Sequence, residues 1–151
     1  MVVMINGSFG VGKSTVANLL RKSLQGSVIY DPEWVGFVLR RLPGGIKLEG
    51  ADTDDYQSIR LWRKSAVAGT RLFRRFASGP VIVPRAFSDR VHFDEIVMGI
   101  RYFASDLKVF CLRASLSTVR SRLLQRGTHL EGAEAEWIAR RIVECTAASM
   151  L

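Results

Sequence analysis

The sequence predicts a three-layer α/β fold, in which a parallel sheet is covered by helices on both faces. Short apolar runs rich in β-branched residues alternate with longer segments of helical periodicity, the pattern typical of parallel sheets. The predicted strands are residues 2–6, 27–30, 80–84 and 107–112, and the predicted helices are residues 13–25, 32–42, 54–77, 91–103, 115–126 and 133–149. Because no repeat or low-complexity tract interrupts this alternation, we expect a single domain over residues 1–151.

Local signals set the ends of the first two helices. Gly26 ends the helix of residues 13–25, since glycine is common just after a helix. Asp31 can cap the next helix, and Pro32 fits its first turn. The polar residues 43–52 follow that helix, and this connection is long enough to act as a lid.

The longest predicted helix, residues 54–77, carries an apolar stripe. Its members recur at three- and four-residue spacing: Tyr56, Ile59, Trp62, Ala66, Gly69, Phe73 and Phe76. Large apolar side chains prefer burial, which favours a core role for this stripe over a ligand-binding one.

Charge and composition narrow the function classes. The net charge is +8, but the arginines come as separated pairs and not as a basic run, so we do not expect nucleic-acid binding. Some of them are instead suited to closing over a polyphosphate. No apolar run approaches the ~20 residues of a membrane span, and the first five residues are too short for a signal peptide. Cys111 and Cys145 stand far apart, so we expect reduced thiols in a cytoplasmic protein.

A glycine-rich motif, GSFGVGKS at residues 7–14, lies between the first predicted strand and the first predicted helix. This spacing in this context predicts a P-loop, because glycines let backbone N–H groups turn onto phosphate oxygens at a helix N-terminus. A glycine-rich turn that binds nothing is the disfavoured alternative. The expected ATP-binding residues are Gly7, Ser8, Phe9, Gly10, Val11, Gly12, Lys13, Ser14 and Thr15. Lys13 would reach the β- and γ-phosphates, and the Ser14 hydroxyl would ligate Mg²⁺.

Several classes of P-loop protein are excluded. The guanine-reading NKxD motif is absent, since the only asparagines are Asn6 and Asn18. A transporter-type LSGGQ signature is also absent, and the chain is short for an oligomeric AAA+ motor. A small-molecule kinase remains, which needs positioned arginines, Mg²⁺ and a carboxylate near the acceptor hydroxyl.

Candidates for those roles follow predicted strands, whose carboxyl ends meet at one rim of the sheet. Asp31 is the candidate acceptor base and second magnesium ligand, although a plain helix cap explains it equally well, and Glu33 is a weaker second choice. Arg85 stands where a Walker-B acid is common and predicts a clamp on an anionic group. Arg122 and Arg126 share a helical face, which predicts either a lid over the γ-phosphate or a surface salt-bridge face.

Four segments carry a family resemblance: residues 5–14, residues 28–33 with Gly36 and Phe37, residues 55–58 with 61–63, and residues 82–84. They resemble the bacterial tunicamycin-resistance ATP-binding proteins, and a weaker likeness continues over residues 110–124 and 137–145. The P-loop is generic, whereas Tyr30-Asp31-Pro32 and Leu61-Trp62-Arg63 are specific to that family.

The resemblance implies ATP-dependent protection against tunicamycin, a nucleoside antibiotic, on a fold like those of shikimate kinase and adenylate kinase. Asp31 would face the acceptor, and Arg85 would lie between the two ligands. The antibiotic pocket would be lined by Tyr56, Gln57, Trp62 and Arg63. Phosphorylation of a drug hydroxyl, sequestration without transfer and a metabolic small-molecule kinase all remain open. Relatives continue into a further strand and helix beyond Leu151, so we expect those elements to be missing from this chain.

Overall fold

Four parallel strands form the centre of the computed structural model. In chain order they are β1 (Val2–Gly7), β2 (Val28–Ile29), β3 (Val81–Pro84) and β4 (Leu107–Leu112). They lie side by side in the order β2, β3, β1, β4, and Val2 is opposite both Val81 and Leu107. The structure describes residues 1–40, 56–87 and 89–125 with the single positions 136, 139, 140 and 143. The predicted parallel sheet is confirmed.

In residues 1–40, 56–87 and 89–125, five α-helices connect and follow the strands. They are α1 (Lys13–Ser23), α2 (Glu33–Arg40), α3 (Arg60–Phe76), α4 (Arg90–Arg101) and α5 (Leu116–Gln125). The predicted loop of residues 43–52 and most of the predicted last helix lie outside the described residues. Within the described ranges, no helix has both the length and the apolar character that crossing a bilayer requires.

Alternate residues of β1 pack into two separate cores. Val2 and Met4 belong to a cluster with side chains of α3 and α4, among them Trp62. Val3 and Ile5 point the other way and pack with Ala17 of α1. Because successive side chains of a strand face opposite sides of a sheet, helices cover both faces. The predicted three-layer arrangement is confirmed.

The helix predicted from residue 54 is wrong at its start. Tyr56–Ser58 form a 3₁₀ turn, Ile59 is extended with φ −72° and ψ 112°, and α3 begins only at Arg60. The Arg63 guanidinium explains the break. Its Nη1 donates to the carbonyls of Gln57 and Ser58, each at 2.8 Å, and a continuous helix would have used both carbonyls for its own N–H groups.

The apolar stripe is a core face only over its first half. Ile59, Trp62 and Ala66 are buried, whereas Phe73 and Phe76 are 39% and 77% exposed. The two phenylalanines line an open groove beside Val28, at the start of the edge strand β2. The prediction that the whole stripe is core is therefore wrong for the C-terminal end of α3, which lies at the sheet's edge.

Candidate functional site

Two glycines of the loop between β1 and α1 lie where a side chain would collide with neighbouring atoms. A Cβ added at Gly7 would lie 2.6 Å from the Leu112 carbonyl oxygen, at the end of the neighbouring strand. Gly10 has a φ of 76°, and a Cβ there would lie 3.0 Å from Val119 and 3.1 Å from Leu123. Both side chains are buried parts of α5. The loop is thus packed directly against β4 and α5, and its path is set by that contact.

The positive end of the α1 helix dipole lies at the end of this loop, and no acidic side chain in the first turn of the helix neutralises it. Gly12 precedes the helix without a side-chain cap. Lys13 Nζ donates to the Ser8 carbonyl at 2.8 Å, so its ammonium group arches back over the loop. Ser14 and Thr15 are exposed in the same turn. A helix N-terminus, an ammonium group and a hydroxyl group together suit phosphate oxygens and a hydrated cation.

Asn6 anchors this loop, and the sequence analysis missed it. The side chain is 1% exposed, and its Oδ1 accepts the backbone N–H of Gly7 at 2.8 Å and that of Phe87 at 3.1 Å. The available signal was a polar residue at the end of an otherwise apolar strand. Such a residue is buried only when it is hydrogen-bonded.

A cavity of about 130 Å³ opens in front of the loop. It is lined by Phe9, Gly10, Gly12, Lys13, Ser14, Asp31, Glu33, Pro84, Arg85 and Ala86. Three segments that are far apart in sequence meet there, at the carboxyl ends of β1, β2 and β3. The structure therefore brings Asp31 and Arg85 beside the phosphate loop.

Asp31 is a helix cap within this cavity. Its Oδ1 accepts the backbone N–H of Glu33 at 2.9 Å, which satisfies one of the N–H groups left open at the start of α2. Burial raises the pKa of the Asp31 carboxyl, and the nearby Glu33 charge adds to this, while the hydrogen bond from the Glu33 N–H and the charges of Arg85 and Lys13 act against it. The carboxylate is consequently a stronger base than that of an exposed aspartate. It caps α2 and still lines the cavity.

The preceding residue, Tyr30, holds this segment against α3. Its hydroxyl donates to the Ser65 carbonyl at 3.2 Å, and its ring stacks on Phe73 with centroids 4.9 Å apart. The ring fits because position 69 is glycine, where a Cβ would lie 2.2 Å from the tyrosine hydroxyl. Asp31 is therefore carried on a rigid support.

Arg85 is almost fully buried and is already paired. Its side chain is 4% exposed, and Nη1 contacts the carboxylate of Glu33. Its guanidinium carbon lies 5.2 Å from the centroid of the Trp62 ring, a cation–π contact. Arginine at this position was predicted to clamp an anionic group, and in the structure that group is Glu33.

Trp62 does not line a pocket. It has no exposed surface, and its indole Nε1–H donates to the Pro32 carbonyl at 2.9 Å. The role implied by the family resemblance, contact with the antibiotic, is corrected accordingly. The indole belongs to the core between α3 and the start of α2, because both its ring and its N–H already have partners inside the protein.

Gln57 and Arg63, the other described members of the implied antibiotic pocket, also make internal contacts. Gln57 is 3% exposed, and its Nε2 donates to the Ala86 carbonyl at 3.2 Å. Arg63 Nε donates to Glu95 at 2.7 Å, in addition to the two carbonyls of the 3₁₀ turn. Both side chains join the turn to its neighbours and so support the cavity from behind. The side chain of Tyr56 lies outside the described residues.

Arg122 contacts the phosphate loop from its other side. Its Nη1 donates to the Val11 carbonyl at 2.7 Å. It lines a second cavity of about 460 Å³ with Thr15 and Gln125. Arg122 therefore lies beside the glycine-rich loop, and its role in a lid stays a prediction. Arg126, predicted as its partner in a lid, lies outside the described residues.

The predicted magnesium ligands, Ser14 and Asp31, line the same cavity. In the part of the chain that the structure describes, no three His, Cys, Asp or Glu side chains cluster as a metal cage. This donor set fits Mg²⁺ at a phosphate loop, since this ion keeps several waters and takes other ligands from the phosphates.

Comparison with known proteins agrees with this geometry. The model of a family described as AAA domain matches residues 3–146. The structure of the tunicamycin resistance protein of Deinococcus radiodurans is similar with a TM-score of 0.69 and 28% identity, covering 96% of this chain and 79% of that one. A search of curated protein sequences gives no match. The suspected resemblance to tunicamycin-resistance proteins is confirmed.

Two kinases share the fold at lower identity. A sugar kinase from Janibacter sp. HTCC2649 has a TM-score of 0.60 and 17% identity, covering 93% of this chain and 76% of that one. A gluconokinase from Sinorhizobium meliloti 1021 has a TM-score of 0.56 and 20% identity, covering 97% and 90%. The predicted P-loop kinase-like fold is confirmed.

Proposed function

The chain belongs to the AAA domain family, and from that premise we propose that it is an ATP-dependent phosphotransferase that inactivates a tunicamycin-like nucleoside antibiotic by phosphorylating a hydroxyl group. The observation that carries this proposal is the cavity in which Lys13, Ser14, Asp31 and Arg85 meet. A nucleotide-binding loop alone would serve many functions. A basic carboxylate in front of the loop is what transfer to a hydroxyl group requires.

Each residue has a distinct part in the proposed reaction. The loop N–H groups and Lys13 bind and orient the phosphates, and Ser14 offers its hydroxyl to the cation. Mg-ATP supplies the phosphoryl group and the charge neutralisation that its transfer needs. Asp31 accepts the proton that the acceptor hydroxyl loses as its oxygen bonds to phosphorus and ADP leaves. Its raised pKa favours that step, because a stronger base takes up the proton more readily.

The identity of the acceptor rests on similarity. The Deinococcus radiodurans protein that is 28% identical over nearly all of this chain is a tunicamycin resistance protein. The segment Tyr30-Asp31-Pro32, on which the family resemblance depends, lies within or beside the cavity. A resistance role is supported by both observations, whereas the sugar kinase and gluconokinase support only the fold.

Mass spectrometry of the drug tests this proposal. After incubation with the protein and Mg-ATP, tunicamycin should gain one phosphoryl group (~80 Da) while ADP accumulates. The Asp31→Asn protein serves as the matched control. Its amide oxygen can still accept the Glu33 N–H that caps α2, but the side chain cannot take up the proton of the drug hydroxyl. Drug that binds tightly in the presence of ATP, with unchanged mass and no ADP, would replace phosphorylation with sequestration. Preferred phosphorylation of gluconate or another sugar would replace resistance with a metabolic role.

A further inference from the structure

Two arginines with little exposed surface, Arg85 and Arg63, are each bound by a carboxylate of the same protein. Arg85 contacts Glu33, and Arg63 contacts Glu95 at 2.7 Å. Arg63 is not among the residues that line the cavity, whereas Arg85 and Glu33 both line it. Of these two ion pairs, the one that lines the cavity is therefore Arg85 with Glu33.

The side chains of Arg85 and Glu33 differ in how far the surrounding protein buries and holds them. Arg85 is 4% exposed and lies against the Trp62 ring, and its backbone N–H donates to Ile5 at 2.8 Å. Glu33 has a side chain that is 47% exposed, at the first position of α2. Arg85 is thus fixed by the core, and Glu33 is the partner that reaches it from the solvent side.

The charged residues among the described lining of the cavity are Lys13, Asp31, Glu33 and Arg85. Lys13 belongs to the phosphate loop and is engaged when nucleotide binds. A phosphoryl acceptor bound in front of that loop then faces two carboxylates, those of Asp31 and Glu33, and the guanidinium of Arg85. This is an environment that repels an anionic group and offers several hydrogen-bonding atoms to a hydroxyl group.

We propose that Glu33 is a specificity-determining residue, which occupies Arg85 and thereby closes the acceptor side to anionic compounds while leaving it open to uncharged, hydroxyl-bearing ones. The assignment of this side to an acceptor rests on the proposed phosphotransferase function. The masking of Arg85 by Glu33 does not, because it is a property of the protein without ligands.

Sulfate is a suitable probe, since a buried but unmasked guanidinium binds a tetrahedral anion through several N–H groups at once. Calorimetry with sodium sulfate is carried out without nucleotide, at constant ionic strength, because salt screens such interactions. The proteins are the wild type, Glu33→Gln, Glu95→Gln and the double variant Glu33→Gln with Arg85→Met. Glutamine keeps the size of Glu33 and a hydrogen-bond acceptor for Arg85. Because the phosphate loop lines the same cavity, each protein is also measured with Lys13→Ala, which weakens sulfate bound at the loop, and the comparisons are made in that background.

Glu33→Gln should bind sulfate at least about tenfold more tightly than the wild type, because a full charge next to Arg85 has been removed. Glu95→Gln, which unmasks an arginine outside the cavity, should stay within about twofold of the wild type. The double variant should lose the gain. Equal sulfate affinity in wild type and Glu33→Gln overturns the proposal, and so does a gain that survives Arg85→Met.

Melting curves verify that each variant folds, and Glu33→Ala repeats the measurement where Glu33→Gln does not. The outcome is independent of the drug assay. A sulfate gain in a protein that never phosphorylates tunicamycin supports the masking role and rejects only the phosphotransferase. Transfer to the drug without a sulfate gain leaves the phosphotransferase and rejects the role of Glu33.

Discussion

Asn6 and Phe87 are joined by a hydrogen bond of 3.1 Å from the Phe87 backbone N–H to the Asn6 Oδ1 atom, which also accepts the N–H of Gly7. One amide oxygen therefore fastens the start of the phosphate loop to the segment that follows β3. Arg85 lies two residues before Phe87, so this bond helps to hold the segment that carries the guanidinium beside the loop. The site is supported by a residue that does not itself line the cavity.

Asn6→Ala should lower the free energy of unfolding by about 2–4 kcal/mol, because two buried N–H groups lose their acceptor. Urea unfolding measures the change. The matched control is Asn18→Ala, since Asn18 is exposed and donates only to the Ser14 carbonyl. That variant should stay within about 0.5 kcal/mol of the wild type. Equal effects at both positions would show that the Asn6 contacts do not stabilise the fold.

Lys13→Ala should abolish Mg-ATP binding while the fold is retained, because the ammonium group is aimed at the loop and not at the core. Isothermal calorimetry measures the affinity, and a melting curve verifies the fold. Lys22→Ala is the control, since Lys22 is an exposed lysine in the last turn of the same helix. Unchanged ATP affinity in Lys13→Ala would remove the nucleotide site from this loop.

Sequence reasoning succeeded where the signal is local. The path from β1 through the glycines into α1 follows from the motif itself, because strand, turn and helix dipole are set by neighbouring residues. It failed where a side chain meets a distant partner. Arg85 and Glu33 are 52 positions apart. No sequence pattern around Arg85 indicates that the anionic group it binds is a carboxylate of the same protein.

The stripe of α3 gave a similar mixed result. Periodicity identifies which side chains share a helix face, but it does not say how far along the helix the sheet extends. The edge strand β2 has two residues, so the stripe is buried at Trp62 and open at Phe76. Likewise, a tryptophan in a family-specific segment was taken for a ligand contact, although its N–H is used by Pro32.

Asp31→Asn should make the protein more stable near neutral pH and abolish turnover. Burial holds the Asp31 pKa above its ordinary value of 3.8, so between that value and the raised one the folded protein binds more protons than the unfolded chain. The stability that proton binding by Asp31 adds to the folded state is therefore lost as the pH rises from 3.8 through the raised pKa. Asparagine never ionises and still accepts the Glu33 N–H, so its advantage should be present near neutral pH and vanish below 3.8.

Asp106→Asn is the control with the opposite sign. A hydrogen bond from the N-terminal amine, with further help from its charge and from Arg74, lowers the Asp106 pKa below 3.8. Its stabilising effect is present above the ordinary pKa and is lost as pH falls, so this variant should be less stable than the wild type near neutral pH. Unfolding curves at acidic and neutral pH test both. An Asp31→Asn protein that keeps wild-type turnover would leave Asp31 as a cap only.

Trp62→Ala tests whether the indole belongs to the core or to a binding surface. The side chain has no exposed area, and its removal leaves a cavity beneath Arg85 and takes away the shortest of the hydrogen bonds that the Pro32 carbonyl accepts. Such truncations of a buried aromatic residue cost about 3–5 kcal/mol. We therefore expect a large loss of unfolding free energy in the absence of any ligand, measured by urea unfolding.

Trp62→Phe separates the two roles. Phenylalanine keeps an aromatic face for Arg85 but cannot donate to Pro32, so it should recover most of the stability, with about 0.5–1.5 kcal/mol still missing for the lost hydrogen bond, since the Pro32 carbonyl keeps the Val35 and Gly36 N–H groups. Drug affinity, measured by calorimetry on this folded variant, should then equal that of the wild type, because the ring has no surface from which to contact a ligand. A variant with wild-type stability and weakened drug binding would contradict the core assignment and place Trp62 in the pocket.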